Sequence, residues 1–499
     1  MIPQFSREDL KGIFHYIGKL IIALGYLFLV PVFVGLIYKE WNCSLDFIIS
    51  SLLSFSFGYL LIFLYPEESD INWRQAMTIT SIIWLVYMFL GAFPLFLSGH
   101  YNSYLDSCFE SMSALATTGL VLVRDLDHMA YTYNFWRHFM CFIGGQGIVL
   151  VGLLIFFKGA SAFKIYVGEG REEKILPNVV QTAKFIWLVS ICYLIIFTLV
   201  LGFINILHGI PPSRAFFHAL CIFMAGWDTA GFAVQSQNIT YYHSGIINII
   251  TALIVILGAL SFGLHYAVWT GKFREILKNY ELKIFLISIM LLIFFSYIGY
   301  IKGKEDTDFV SSFRIVSYHI ISGHTGVGYT NTDSYHFKYH WSEFSLAFLI
   351  IAMGLGGCSC STSGGIKMLR IGLFLKEIKK EIKEFSSPFS TVIVEKFHHI
   401  RDISISDAQI KTSIIIVLMY IITYLLGGII GSFLGYPFLY SLFESTSACA
   451  NVGLSVGITN PSMPNILKIV YIIEMWIGRL EFISIFVFIK FLFSLRSPE

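Results

Sequence analysis

Residues 109–120 read FESMSALATTGL, and residues 443–454 read FESTSACANVGL. Eight of the twelve positions are identical, although the two stretches lie near opposite ends of the chain. Two further short segments end in related form, Thr229-Ala230-Gly231-Phe232 and Thr325-Gly326-Val327-Gly328-Tyr329. Each is followed by a second glycine inside an apolar run. Gly119 leads to Gly144, Gly231 to Gly258, Gly328 to Gly356 and Gly453 to Gly478, at separations of 25, 27, 28 and 25. Self-similarity at a fixed spacing marks a repeated structural unit. The unit here is a span, a short segment ending in glycine, and a second span with glycine. Four such units run from about residue 75 onward, and two earlier spans lie outside them.

The rest of the chain says what surrounds that unit. Of 499 residues, 56% are hydrophobic and 13% charged, where a soluble protein has about 25% charged. Apolar runs near 20 residues long indicate a polytopic membrane protein. This excludes a soluble enzyme, a disordered scaffold and a secreted disulfide domain. Net charge is +2, so no nucleic-acid partner is implied. Hydropathy places spans near 15–38, 46–65, 75–98, 134–157, 179–207, 243–269, 281–301, 341–357, 408–434 and 465–494. The segments 104–117, 213–226, 309–324 and 437–450 are too short to cross and read as re-entrant. The first apolar run is followed by no cleavage pattern and reads as a retained span.

Lys and Arg concentrate in 158–184, 271–283 and 367–411, which hold 5, 4 and 9 of them. By the positive-inside rule these segments and the N-terminus are cytoplasmic, and the re-entrant segments enter from outside. The stretch 302–314, with Lys302, Lys304 and Arg314, fits this less well. The charged run 376–396 reads as a solvated cytoplasmic helix that also offers a docking surface. The expected fold is all-α. Four pseudo-symmetric span–pore-loop–span repeats surround one central pore, with two extra N-terminal helices. The divisions fall at 1–70, 71–170, 171–275, 276–396 and 397–499.

Irregular backbone at membrane depth is tolerated only where it lines a cavity or is buried in protein. Four extended, glycine-bearing segments around one axis present a ring of carbonyl dipoles that can replace a cation's hydration shell. The C-terminal ends of the short helices add negative partial charge there. The candidate ring residues are Thr117, Thr118, Gly119, Thr229, Ala230, Gly231, Val327, Gly328, Asn451, Val452 and Gly453. Val327-Gly328-Tyr329 resembles the core of the potassium-channel filter TVGYG.

The stretch 356–365 is almost all Gly, Ser, Thr and Cys, and should break its helix inside the membrane. Its candidate gate residues are Gly356, Gly357, Ser361, Thr362, Gly364 and Gly365, with Lys367 following. The alternative is a tight small-residue crossing. Arg479 is ionisable within an apolar span. It reads either as a cationic barrier to a passing ion or as an ion-pair partner of Glu481 or Glu474. Glu110 and Glu444 occupy matching positions and read as braces for the short helices, and Asp228 reads as a charge at the outer mouth. Cys358 and Cys360 lack the convergent ligands of a transition-metal site. His324 reads as a neutral hydrogen-bond donor behind the ring.

The sequence resembles the Trk/Ktr/HKT superfamily of potassium transporters, and most closely the bacterial TrkH-type subunits. The stretch GGCSCSTSGGIK at 356–367, the GRLE at 478–481 and Thr117-Thr118-Gly119-Leu120 carry the resemblance. Cys360, Asp228, Gly326 and Val327 depart from the family pattern. The resemblance implies potassium uptake across the bacterial inner membrane, with potassium bound at the four ring glycines. Gly119, rather than Ser, favours potassium over sodium. It also implies a homodimer in the lipid bilayer and a separately encoded TrkA-like cytosolic ring that binds NAD or ATP/ADP. No nucleotide or other cofactor is expected on this chain itself. A sodium-permeable or sodium-coupled transporter of the same fold is the alternative. A small-solute carrier built from two halves fits the four parallel units less well. An enzyme is disfavoured because no cluster of paired His, Asp or Glu lies on facing spans.

Overall fold

The computed structural model describes residues 7–66, 70–150, 159–169, 176, 178–302, 308–388, 395–399, 401–404 and 406–494. Among the described residues the regular structure is helical apart from one short hairpin, β1 (Lys396–His399) paired antiparallel with β2 (Arg401–Ser404). Six helices among the described residues are long and apolar enough to cross a membrane, and a bent pair makes a seventh.

Two long helices, α1 (Arg7–Tyr38) and α2 (Trp41–Leu64), form an antiparallel hairpin. Gly18 and Gly58 meet where they cross, since small residues let helix backbones approach closely. The hairpin docks on the first repeat. Phe28 and Phe47 pack against Trp136. The Glu40 carboxylate accepts from the backbone N–H of Tyr131 and Thr132, at 2.9 and 2.8 Å, so it caps the helix that starts there.

Each repeat opens with a long span: α3 (Trp73–Leu97), α7 (Val179–Leu207), α12 (Tyr280–Ile301) and α17 (Asp407–Phe433). A short helix follows each: α4 (Tyr104–Leu115), α8 (Pro212–Trp227), α13 (Phe309–Thr325) and α18 (Phe438–Cys449). These begin at Ser103, Pro211, Asp308 and Pro437. Ser103 and Asp308 cap through their side chains.

The second spans differ from the sequence expectation, which broke only the third of them. All four are interrupted. In the first repeat α5 (Tyr131–Gln146) ends at Gly147, with φ 101°, and α6 (Gly159–Gly168) follows. Residues 151–157 of that expected span lie outside the described residues. In the second, α9 (Gly245–Gly258) and α10 (Phe262–Trp269) meet at 100°. In the third, a short helix α14 (Ser334–His340) precedes α15 (Glu343–Leu355), which ends at a loop, after which α16 (Met368–Phe385) leads away. In the fourth, α19 (Asn465–Leu480) breaks at Glu481 and Phe482, both at positive φ, before α20 (Ile483–Ser494).

The β hairpin meets a short helix, α11 (Arg274–Lys278). His398 bonds the Glu275 carboxylate at 2.7 Å, and that hydrogen bond holds the carboxyl below its ordinary range.

Candidate ion pore

The four short helices end in the same way. Thr118, Ala230, Val327 and Val452 donate their N–H to the carbonyls of Ser113, Ala225, Ser322 and Ser447, at 2.8, 2.7, 2.9 and 2.8 Å. The residue before each donates to a carbonyl three back. This is the Schellman termination, which needs a left-handed residue just past the helix. Thr117, Thr229, Gly326 and Asn451 take that place, with φ of 55°, 54°, 76° and 55°. Gly accepts it freely and Asn readily. For the β-branched Thr117 and Thr229 it costs about 1–3 kcal/mol each, strain of a kind that gathers at functional sites. Gly326, a departure from the family pattern, therefore removes strain at its corner.

Two residues on, Gly119, Gly231, Gly328 and Gly453 return to positive φ, at 92°, 67°, 79° and 92°. Their missing side chains leave room for a neighbour's backbone. A methyl group on Gly119 would overlap the carbonyl oxygen of Ala230. One on Gly231 would overlap Val327, one on Gly328 would overlap Val452, and one on Gly453 would overlap Thr118. The contacts thus run first to second to third to fourth and back to first, closing a ring. In this ring Thr118, Ala230, Val327 and Val452 supply the carbonyls that the glycines meet, and Thr117, Thr229 and Asn451 stand at the turn just before them. Asn451 joins its ends through a 3.0 Å bond to Thr118 Oγ1. Gly119 and Gly453 also donate to the matching serines Ser113 and Ser447.

Behind the ring, Glu110 and Glu444 brace their segments differently. Glu110 accepts from Leu122 N–H and from the fully buried guanidinium of Arg137. Glu444 accepts from Ser455, Val456, Ile458 and Thr459. Arg137, which also covers the Phe232 ring, escaped the sequence reading. Its signal was an arginine in an apolar run one turn from Asn134. His324 bonds Ser288 Oγ at 2.7 Å behind the third segment.

On the side of the ring where the short helices end and the second spans break lies the loop 356–367. It is anchored to all the other repeats. Cys358 N–H donates to the Ala259 carbonyl, and Thr362 Oγ1 lies 3.0 Å from the carbonyls of Trp227 and Gly258. Gly364 packs on Ala450 of the fourth repeat. Arg479 donates to the Thr362 carbonyl at 2.8 Å and to the Gly144 carbonyl at 2.6 Å, so it ties the loop to the first repeat. Glu481, one of its expected partners, pairs with Arg370, and Glu474 accepts from Ser445. Gly356 and Gly365 pack on each other at the loop's neck, beside Gly357 and Ser361. Lys367 is buried at positive φ and bonds the Ser363 carbonyl. Glu281, also missed from sequence, receives the Ser359 N–H at 2.6 Å. A polar cavity beneath the loop is lined by Glu169, Cys360, Ser361, Lys367, Arg479 and Glu481.

Asp228 requires a correction. Expected at the outer mouth, it is fully buried at the C-terminal end of its short helix. Its Oδ1 accepts from Gln146 Nε2 at 2.8 Å. The reason is helical geometry, since a residue just past a short helix lies at that helix's deep end, not its entrance.

Re-entrant helices, interrupted spans and a backbone ring define a polytopic helical membrane protein whose chain folds around buried irregular backbone. The chain belongs to the TrkH family of cation transport proteins, whose model matches residues 44–298 and 312–495. It is 33% identical to an uncharacterised cation transporter of Methanocaldococcus jannaschii, covering 97% of this chain and 96% of that one. It is 26% identical to the Trk system potassium uptake protein TrkG of Escherichia coli K12, over 95% of this chain and 97% of the relative. The fold matches the crystal structure of the potassium transporter TrkH from Vibrio parahaemolyticus with a TM-score of 0.80, at 24% identity. That match covers 98% of this chain and 99% of the other.

Proposed function

We propose that this chain carries potassium into the cell through the ring at Gly119, Gly231, Gly328 and Gly453, with the loop 356–367 as its gate. The observation that carries the reading is the cyclic packing of the four segments, which sets four successive stretches of backbone around one axis. Backbone carbonyls so placed substitute for the water around a dehydrated cation. The C-terminal ends of four short helices add to the attraction. The loop below the ring, tied by Arg479 and Thr362 to three other repeats, blocks the path when in place. Its release opens the path. Arg479 adds a cationic barrier, because a fixed positive charge in a low-dielectric site repels a cation.

The relatives' names as potassium uptake proteins support potassium as the ion. In this reading the chain lies in the cell inner membrane with its N-terminus in the cytoplasm, as a homodimer. A cytosolic nucleotide-binding ring of the TrkA kind docks near α16 and the β hairpin and sets the loop. The repeat divisions at 71–170, 171–275, 276–396 and 397–499 belong to the same proposal.

The test is rubidium uptake and growth rescue in a bacterium lacking potassium uptake, with and without a candidate ring partner. Uptake of rubidium that excess sodium leaves unchanged is expected. No rescue under any pairing, with the protein present in the membrane, would overturn the reading. Competition by sodium at equal concentration would favour the sodium-permeable alternative.

A further inference from the structure

Asp228 occupies the position that Ala116, Thr325 and Ala450 hold in the other three segments, three residues before the ring glycine. Among these four, it alone carries charge. The Schellman turn does not need it, because Ala116 and Ala450 complete the same turn with methyl side chains. Nor does the site favour it for free. A helix C-terminus carries about half a negative charge, so a carboxylate there is disfavoured unless positive charge lies near.

The structure shows where such charge comes from. The Asp228 side chain packs on Gly145 and accepts from Gln146. The Gly144 and Gly145 carbonyls accept from Arg479 Nη2, at 2.6 and 3.2 Å. Carboxylate and guanidinium therefore both touch Gly145, on the inner side of the ring where an ion leaves it.

We propose that Asp228 is a specificity-determining residue. Its carboxylate acts through space, offsets the Arg479 charge and deepens the well for cations at the inner end of the ring. The inference rests on the ring being a cation path. It makes a quantitative demand, because Coulomb energy scales with the charge of the ion. Removing the carboxylate costs a divalent ion twice the free energy it costs a monovalent one. The loss in affinity for the divalent ion is then the square of the loss for the monovalent.

Asp228→Asn keeps an oxygen to accept from Gln146 and removes only the charge. The full-length protein, purified in detergent with choline as the background cation, is titrated with Rb⁺ and with Ba²⁺. Ion-dependent thermal stabilisation gives both half-saturation constants. With the variant, the Rb⁺ constant should rise about threefold and the Ba²⁺ constant about tenfold, close to the square. Asp228→Ser, smaller and equally neutral, should show the same relation, and serves if the Asn variant does not fold. Equal shifts for the two ions, or none, would mean a merely structural role and overturn the proposal. Failure of both variants to fold would do the same, by making the charge a folding requirement. If the parent protein responds to neither ion, the cation path itself fails, and this inference with it.

Discussion

In the first, second and fourth repeats the glycine of the second span packs on the short helix before it. Gly144 lies on the Leu115 carbonyl, Gly258 on Trp227 and Gly478 on Cys449, each four residues before the ring glycine. The third repeat is built otherwise, with Gly356 packed on Gly364 of its own loop. Three spans are thus wedged against the helices that carry the ring, with no room for even a methyl group. The span of the third repeat hangs on a loop held by hydrogen bonds, which water can replace at small net cost. The difference teaches which part of a fourfold architecture is free to move. All four repeats hold the ring, and in the proposed function the third alone also supplies the gate.

Several substitutions would break or sharpen this contrast. The largest effect is expected from Gly478→Ala or Gly144→Ala. The added methyl has no space, and overpacking of this severity costs about 3 kcal/mol or more. Detergent extracts should yield little folded protein by size exclusion, and a well-folded Gly478→Ala with parental uptake would refute the wedge. Gly356→Ala should behave differently, because its crowding falls on a loop. It should elute like the parent, with rubidium uptake altered about tenfold, the equivalent of ~1.4 kcal/mol in the gate equilibrium. Loss of folded protein equal to that of Gly478→Ala would erase the distinction between repeats.

Arg479→Gln removes donors to Thr362, Gly144 and Gly145 and leaves a neutral side chain. Uptake without a cytosolic partner should rise about fivefold, a shift of roughly 1 kcal/mol toward the open loop. Unchanged uptake would separate Arg479 from the gate. The smallest effect is expected from Glu281→Gln, which keeps one oxygen for the Ser359 N–H and loses the charge. A rise of about twofold would correspond to a weakened but surviving hydrogen bond. No rise would place the loop's hold on its other anchors alone.

Much of this was legible in the sequence because two kinds of signal are strong. A repeated glycine in register reports a backbone requirement, and long apolar runs report spans. Both survive without knowledge of contacts. The breaks in the first, second and fourth second-spans were not legible. A lone Gly144, Gly258 or Gly478 in an apolar run looks like ordinary helix-packing glycine, and only the run at 356–365 had composition unfit for a span. The braces were hidden for another reason. Arg137 and Glu110 are 27 residues apart, and a pairing at that distance has no periodic signature. Asp228 was misplaced although its number set it just past the segment 213–226, because the far end of a short helix was read as its mouth and not its deep end. Arg479 was visible as an intramembrane charge, but its bonds to backbone carbonyls could not be read from residue types.

The cycle of glycine contacts has a consequence for the order in which the protein is made. Its closing link, where Gly453 receives Thr118, joins the last repeat to be synthesised to the first. Three repeats inserted in a membrane hold three corners and an open side. A nascent or truncated chain that lacks the fourth repeat therefore holds an open ring, and closure waits on Gly453 reaching Thr118. The same link makes the fourth repeat a checkpoint on assembly, since without its Gly453 the cycle stays open.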